Sequence, residues 1–200
     1  IVAILLRVYV SKMGNNFDYG SWKIVGSIID NGKNVYEETS RYNYGPVWAL
    51  MLGFFKKISL LFFNDLLIYR LLIIFSLSLA DIVIAIWLYE YIGILSILWF
   101  LFNPVSIYTS GFHNQFDNIS IAIALYSFKL IEKYRSRLPG YLLLGLSLIV
   151  KHIFLFFPLW LFISAKNIRQ RLLSLIPLLL FFISFLPFLS SQKVFLNILH

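Results

Sequence analysis

The chain has no cysteine, which excludes disulfides, thiol catalysis and thiolate metal sites and leaves its redox compartment open. Charge is scarce as well. Only 13% of the 200 residues are Asp, Glu, Lys or Arg, about half the quarter found in ordinary globular domains. Acids number nine and histidines three, so little acid–base or metal chemistry is open to it. What fills the space is apolar: 60% of the chain is hydrophobic and 18% aromatic. A soluble fold of this length cannot hide that much apolar surface, and lipid is the expected solvent. The net charge of +8 runs along no polar helix face. It sits in clusters between greasy segments, which is how a membrane protein records its orientation and not how a nucleic-acid binder is built. The chain starts at Ile1 and stops at His200 in what reads as the start of an extramembrane segment, 191–200. We read it as part of a longer multispanning protein. No basic n-region or small-residue cleavage site marks a signal peptide.

A spanning helix needs roughly 20 mostly apolar residues. Residues 66–89, 92–110, 119–131 with flanks, and 172–190 qualify. Residues 1–12 read as the end of a first membrane helix. The run 141–163 is apolar but interrupted by Lys151-His152 and Pro158. The 132–140 loop, among Lys129, Lys133, Arg135 and Arg137, and the loop holding Lys166, Arg169 and Arg171 are both basic, and the positive-inside rule puts them in the cytoplasm. Residues 13–65 balance basic and acidic residues and belong outside. For both basic loops to be cytoplasmic, 141–163 must cross as two short arms turning near Lys151-His152 in a protein-lined or wet cavity, and we prefer that to a single crossing. Residues 44–63 are apolar around Lys56-Lys57, and we expect amphipathic interfacial helices there, with the lysines snorkelling to headgroups. The expected fold is an all-α polytopic membrane bundle of about seven segments, 66–190 carrying the further membrane helices.

Four polar features collect on the outer side: Asn15-Asn16-Phe17-Asp18-Tyr19; Gly32-Lys33-Asn34-Val35-Tyr36 with Arg41-Tyr42-Asn43-Tyr44-Gly45-Pro46; Asn103-Pro104 leading to His113-Asn114-Gln115-Phe116-Asp117-Asn118; and Lys151-His152. Each also has a plainer explanation. Asp18 is also read as a solvated loop acid, Asn103-Pro104 as a helix kink, and Trp48 as an interfacial belt aromatic. His113 and Asp117 stand four apart, a possible shared helix face and metal half-site, but two ligands alone are weak. Asn118-Ile119-Ser120 matches a glycosylation sequon abutting the membrane. A lysine some ten residues into an apolar run, as Lys151 is, is costly unless paired or wet, and such residues are functional by default. Arg70 is expected to snorkel to the outer headgroups and Glu90 to the inner ones, with Asp81 as a structural polar contact between helices.

A cation near headgroup level beside His and amide side chains suits a lipid phosphate, and an external Asp can serve as a general base. Together they suit sugar transfer from a polyprenyl phosphate to a hydroxyl. Phosphate is already a good leaving group, so cations to stabilise its charge and one carboxylate suffice.

The ordered set formed by Leu6-Arg7, Asp18, Gly32-Lys33-Asn34-Val35-Tyr36, Arg41-Tyr42-Asn43-Tyr44-Gly45-Pro46, Asn103-Pro104, 111–117 and Lys151 with Pro158 resembles the N-terminal half of integral-membrane glycosyltransferases of the GT-C superfamily. The likeness is to the GPI-mannosyltransferase-like branch and its prokaryotic relatives, and runs from Leu6 to about Pro158. It implies an extracytoplasmic site in the plasma membrane, a dolichyl- or polyprenyl-phosphate sugar donor, mannose as the hexose, and a glycan or lipid hydroxyl as acceptor. It makes Asp18 the base. Lys151, His152 and Arg41 are then expected at the donor phosphate, and Tyr44, His113, Asn114, Gln115 and Asp117 around the sugar. Several relatives carry an acidic pair in the first loop, whereas Asn15 and Asn16 precede a lone Asp18 here. No cofactor is therefore assigned, and a divalent cation, Mg2+ or Mn2+, stays open. The alternatives are a secondary transporter or lipid-linked-sugar flippase, or a noncatalytic assembly subunit.

Overall fold

The computed structural model describes residues 1–135, 137–189, 193, 194 and 196; most of the expected external segment 191–200 lies outside them. The described residues are helical, with no strand among them. The helices are α1 (Val2–Ser11), α2 (Phe17–Asp30), α3 (Val35–Glu38), α4 (Pro46–Ser59), α5 (Asp65–Ile92), α6 (Ile94–Leu101), α7 (Pro104–Tyr108), α8 (Asp117–Lys133), α9 (Leu138–Val150), α10 (Phe157–Ile163) and α11 (Ile168–Ile183). Asparagine side chains start five of them. The Oδ1 atoms of Asn16, Asn34, Asn64, Asn103 and Asn167 accept from the backbone N–H of Tyr19, Tyr36, Leu67, Val105 and Gln170, each satisfying one of the donors a helix start leaves over.

Among the described residues, two helical stretches, Asp65–Ile92 and Ile168–Phe188, are long and apolar enough to cross a membrane. The number rises to four if each of two bent pairs counts as one span: Ile94–Leu101 with Pro104–His113, bent by 48°, and Leu138–Val150 with His152–Ile163, bent by 115°. Both bends fall where the sequence is polar, at Asn103-Pro104 and at Lys151-His152. Large apolar side chains such as Phe75, Leu79, Leu98, Trp99, Leu179 and Phe182 stay exposed on these helices, a pattern that suits lipid contact.

The chain divides into two compact units. The first comprises Ile1–Tyr42 and Ala49–Ile119. Its centre is polar. Arg7 on α1 and Asp81 on α5 form an ion pair at 2.9 Å, the side chains 1% and 0% exposed. Every N–H of the guanidinium finds an acceptor: Asp81 Oδ2 from Nε, the Ala3 and Leu101 carbonyls from Nη1, and Ser106 Oγ and Asp81 from Nη2. Ser110 Oγ donates to the same Asp81 oxygen at 2.8 Å, and the Asn118 amide donates to the other. This network ties α1, α5, α7 and the start of α8 together. Asp81 is a polar contact between helices, as its position in an apolar run suggests.

Above the network α2 packs through Tyr19, Trp22, Val25 and Gly26, all buried. Trp22 meets Phe116 edge-on with ring centroids 5.4 Å apart, a geometry worth about 0.5–1.5 kcal/mol beyond its burial. Trp22 Nε1 donates to the Asn114 carbonyl at 2.9 Å, and the Tyr69 hydroxyl to the Trp22 carbonyl at 2.6 Å. The first-unit parts of the segment 13–65, residues 13–42 and 49–65, are thus folded, with their own buried aromatics. Tyr36 and Tyr42 pack at 5.7 Å with neither exposed, and burial pushes the Tyr36 hydroxyl far above its ordinary range. Two expectations for basic residues change here. Lys56 does not snorkel but pairs with Asp65 at 2.8 Å. Arg70 turns inward, 9% exposed, with its guanidinium 4.5 Å from the Tyr19 ring.

The second unit comprises Asn43–Trp48 and Ser120–His200. Ile131, Tyr141, Leu144 and Leu161 form its apolar centre, with Phe128, Phe154, Phe157, Leu173 and Ile176 against them. Small residues let its helices approach: Ser120 and Ser147 exchange hydrogen bonds with each other and with each other's carbonyls, and Ser127 Oγ donates to the Gly140 carbonyl at 2.8 Å. Trp48 is fully buried, so it is a core residue and not a belt aromatic.

Candidate functional site

In the first unit, helix α7 passes into a π-helical turn, Thr109–His113, and the chain then runs through Asn114, Gln115 and Phe116 to α8. Asn114 adopts the left-handed conformation, φ 57°, which asparagine tolerates better than most residues. It is fully buried, and its amide donates to the Ser110 and Gly111 carbonyls at 2.9 and 3.1 Å. The turn lies hard against α1. A Cβ at Gly111 would stand 2.6 Å from the Arg7 carbonyl oxygen and 2.9 Å from its Cα, so only glycine allows this approach.

The result is a small cluster around Asp18. Asp18 occupies the first turn of α2, where a carboxylate is favoured by the helix dipole; the acid sits on a helix and not in a free loop. Gln115 Nε2 donates to Asp18 Oδ2 at 3.0 Å, and His113 Nδ1 stands 3.9 Å from that same oxygen. Both side chains stay reachable, Asp18 29% and His113 43% exposed. Asn16 sets the histidine. Its Oδ1 is taken by the Tyr19 N–H at 2.9 Å, so its amino group faces His113 Nδ1 at 2.9 Å. A donor there makes Nδ1 the acceptor, and the neutral ring then carries its proton on Nε2. The 3.9 Å approach to Asp18 is therefore not a hydrogen bond in this arrangement. Arg41, exposed, lies over the Phe17 ring at 4.6 Å, at the same first turn of α2.

Asp117 starts α8. His113 closes the π-turn before the left-handed Asn114, so the two residues share no helix face, and the half-site expected from their spacing does not form. Among the described residues no group of three His, Asp or Glu side chains is placed to hold a metal ion. In the sequon, Asn118 is committed to Asp81 and Ser110, and Ser120 is buried and bonded to Ser147 and the Lys151 carbonyl.

Lys151, His152 and Tyr44 belong to the second unit. Lys151 is extended, φ −154° and ψ 129°, between α9 and a 3-10 turn at His152–Phe154. Its ammonium lies 4.8 Å from the Tyr44 ring centroid, a cation–π placement. Tyr44 is held there because Gly45 packs on the Ile149 backbone with no room for a Cβ. The His152 ring lies 6.1 Å from that of Phe181.

Sequence reasoning missed two things: that Arg7 is the partner of Asp81, and that Asn15 is the partner of Arg70, Nη1 to Oδ1 at 3.2 Å. The first was signalled by opposite charges each set inside an apolar run, for which mutual pairing is the ordinary solution. The buried spacing of Tyr19, Trp22, Val25 and Gly26 was the signal for α2. No family model, curated protein or solved structure matches the chain.

Proposed function

We propose that this chain is the N-terminal part of a multi-pass membrane glycosyltransferase of the GT-C type, which moves a hexose from a polyprenyl- or dolichyl-phosphate donor to a glycan or lipid hydroxyl. The bundle would have about seven membrane segments, with the Asp18 side extracytoplasmic and the 132–140 loop cytoplasmic. Asp18 would take the proton of the acceptor hydroxyl. The acceptor oxygen then bonds to the anomeric carbon as its bond to the phosphate oxygen breaks, the polyprenyl phosphate leaves with the electron pair, and the anomeric centre inverts. Gln115 holds the carboxylate and His113 stands beside it for the sugar. The resemblance would put Lys151, His152 and Arg41 at the donor phosphate, Lys151 and Arg41 as cations and His152 as a hydrogen-bonding imidazole, and mannose is the hexose it favours.

The observation that carries the reading is the Asp18–Gln115 hydrogen bond beside a half-exposed His113. A reachable carboxylate has been oriented there by Gln115, 97 positions away, with no Lys or Arg bonded to it among the described residues. Such orientation is what a general base requires. The test is Asp18→Asn in the protein assayed with a radiolabelled polyprenyl-phosphate hexose. Loss of general-base catalysis lowers turnover by about 10²–10⁴-fold, and unchanged turnover removes the proposal.

One observation favours the transporter or flippase reading. The 115° break at Lys151 is the geometry of a discontinuous helix, the kind that carries transporter sites. Labelled sugar crossing sealed vesicles without entering lipid-extractable or polymeric product would decide for it.

A further inference from the structure

A second polar feature of the first unit is not used by the cluster around Asp18. A cleft of about 360 Å³ opens between the end of α1, the first turns of α2 and the start of α5, lined among others by Lys12, Asn15, Tyr19, Lys23 and Arg70. Three of these are cations, and among the described residues none lining the cleft is acidic. Asp65 acts on Tyr19 electrostatically, but its charge is met by Lys56.

Arg70 is the unusual member. It is 9% exposed and has no carboxylate partner among the described residues. Nη1 donates to Asn15 Oδ1 at 3.2 Å, Nη2 reaches the Phe112 carbonyl at 3.5 Å, and buried Nε has no hydrogen-bond partner. A buried guanidinium with neutral contacts and a spare donor keeps nearly its whole charge uncompensated, a costly state unless an anion joins it. Lys23 and Arg70 both lie on the Tyr19 ring, at 5.2 and 4.5 Å. Burial pushes the Tyr19 hydroxyl up, partly opposed by Arg70, so the ring separating the cations stays neutral.

The cleft also has a definite place. Ser11 and Lys12 end α1 while Leu66, Leu67 and Arg70 begin α5, so it sits where an apolar span meets polar chain. Met13, Leu66 and Leu67 beside it are exposed apolar side chains. It stands back to back with the Asp18 cluster through three pairs of consecutive residues. Asn16 serves His113 and Asn15 serves Arg70; Asp18 meets Gln115 and Tyr19 meets Arg70; His113 lies at the acid and the Phe112 carbonyl at the guanidinium.

We propose that this cleft binds the phosphate of a lipid-linked phosphate ester, with Arg70, Lys12 and Lys23 as its cationic ligands. Arg70 is preorganised by Asn15 and the Tyr19 ring, and the two lysines reach in as point charges. Exposed Met13, Leu66 and Leu67 receive the start of the hydrocarbon chain. Binding in this cleft does not require Asp18 to be a base; only its use as the donor's leaving-group site rests on the transferase reading. In that use it competes with Lys151 and His152 for the assignment.

The test is equilibrium binding to the purified protein in zwitterionic nanodiscs, with a long-chain polyprenyl phosphate, the matching neutral polyprenol, and inorganic phosphate as competitor. Polyprenyl phosphate should bind at least about tenfold more tightly than polyprenol, and Lys12→Ala with Lys23→Ala should erase about tenfold of that affinity, as expected for lost charge-assisted contacts. These lysines, Lys12 exposed and Lys23 half-buried, carry the test because Arg70→Gln disturbs the packing of α2 on α5. Competition by inorganic phosphate that the double variant abolishes assigns the cleft to phosphate from any source; absence of competition assigns it to the lipid ester; both uphold the site. Equal binding of polyprenol, or unchanged affinity of the double variant while Lys151→Ala loses it, overturns the site. Asp18→Asn should bind polyprenyl phosphate normally. If that variant also turns over normally, the transferase reading fails with the cleft intact.

Discussion

Arg7 and Asp81, 74 positions apart, hold each other at 2.9 Å with neither side chain more than 1% exposed. The pair positions the turn that presents His113 and Gln115, because Ser106, Ser110 and Asn118 are all bonded into it. Removing one charge strands the other in an apolar surround. Arg7→Met or Asp81→Leu should each destabilise the protein by about 3–5 kcal/mol, read as a fall in the thermal midpoint in detergent. Arg7→Met combined with Asp81→Leu should recover much of the loss, because two matched apolar side chains leave no orphan charge. Additive losses would show that the pair is not coupled.

The tautomer of His113 provides a sharper check. Asn16→Asp keeps a helix cap but replaces the amino group facing Nδ1 with a carboxylate oxygen, so Nδ1 must become the donor. Nitrogen NMR of labelled histidine should show the proton on Nε2 in the native protein and on Nδ1 in the variant. An Nδ1-protonated ring in the native protein would mean that the Asn16 amide does not set the ring. Turnover should fall in the variant while its thermal midpoint moves little, since the cap is retained.

These relationships were unevenly legible in the sequence. The α5 span could be read from its apolar run alone, because 28 residues between Asn64 and Gly93 leave little else to form. The break at Lys151-His152 was legible for the same reason: a cation and an imidazole interrupt lipid-compatible residues. The segment holding Asp18 read as loop because its charges balance and its apolar residues are spaced by tyrosines and tryptophan. The spacing of Tyr19, Trp22, Val25 and Gly26 signals a helix, but what buries that face, Asn114, Phe116 and Tyr69, comes from far along the chain. Snorkelling of Arg70 is a local argument, while the groups that hold it inward, Tyr19 on α2 and Asn15 just before that helix's cap, come from elsewhere in the chain.

Gly111 tests how closely the site is tied to α1. A methyl group there meets the Arg7 backbone, which cannot rotate out of the way as a side chain would. Gly111→Ala should therefore cost about 1–3 kcal/mol, the usual range for overpacking a close contact. It should also lower turnover beyond the loss of folded protein, because the π-turn must shift with His113 at its end. A thermal midpoint within error of the native protein would show that the approach of α1 and the turn is loose.

Asn114 separates a sugar ligand from a scaffold residue. Its sequence neighbours suggest a contact with substrate, but it is fully buried and its amino group is spent on two backbone carbonyls. Two substitutions split its contributions. Asn114→Gly keeps the left-handed backbone and loses the amide; Asn114→Ala loses both, and should be less stable than the glycine variant by about 1–2 kcal/mol, the left-handed penalty of an ordinary side chain. Both should lower the thermal midpoint, and at temperatures where the protein remains folded the KM for the sugar donor should stay close to native. A KM raised about tenfold in both variants, with stability unchanged, would instead make Asn114 a ligand of the sugar.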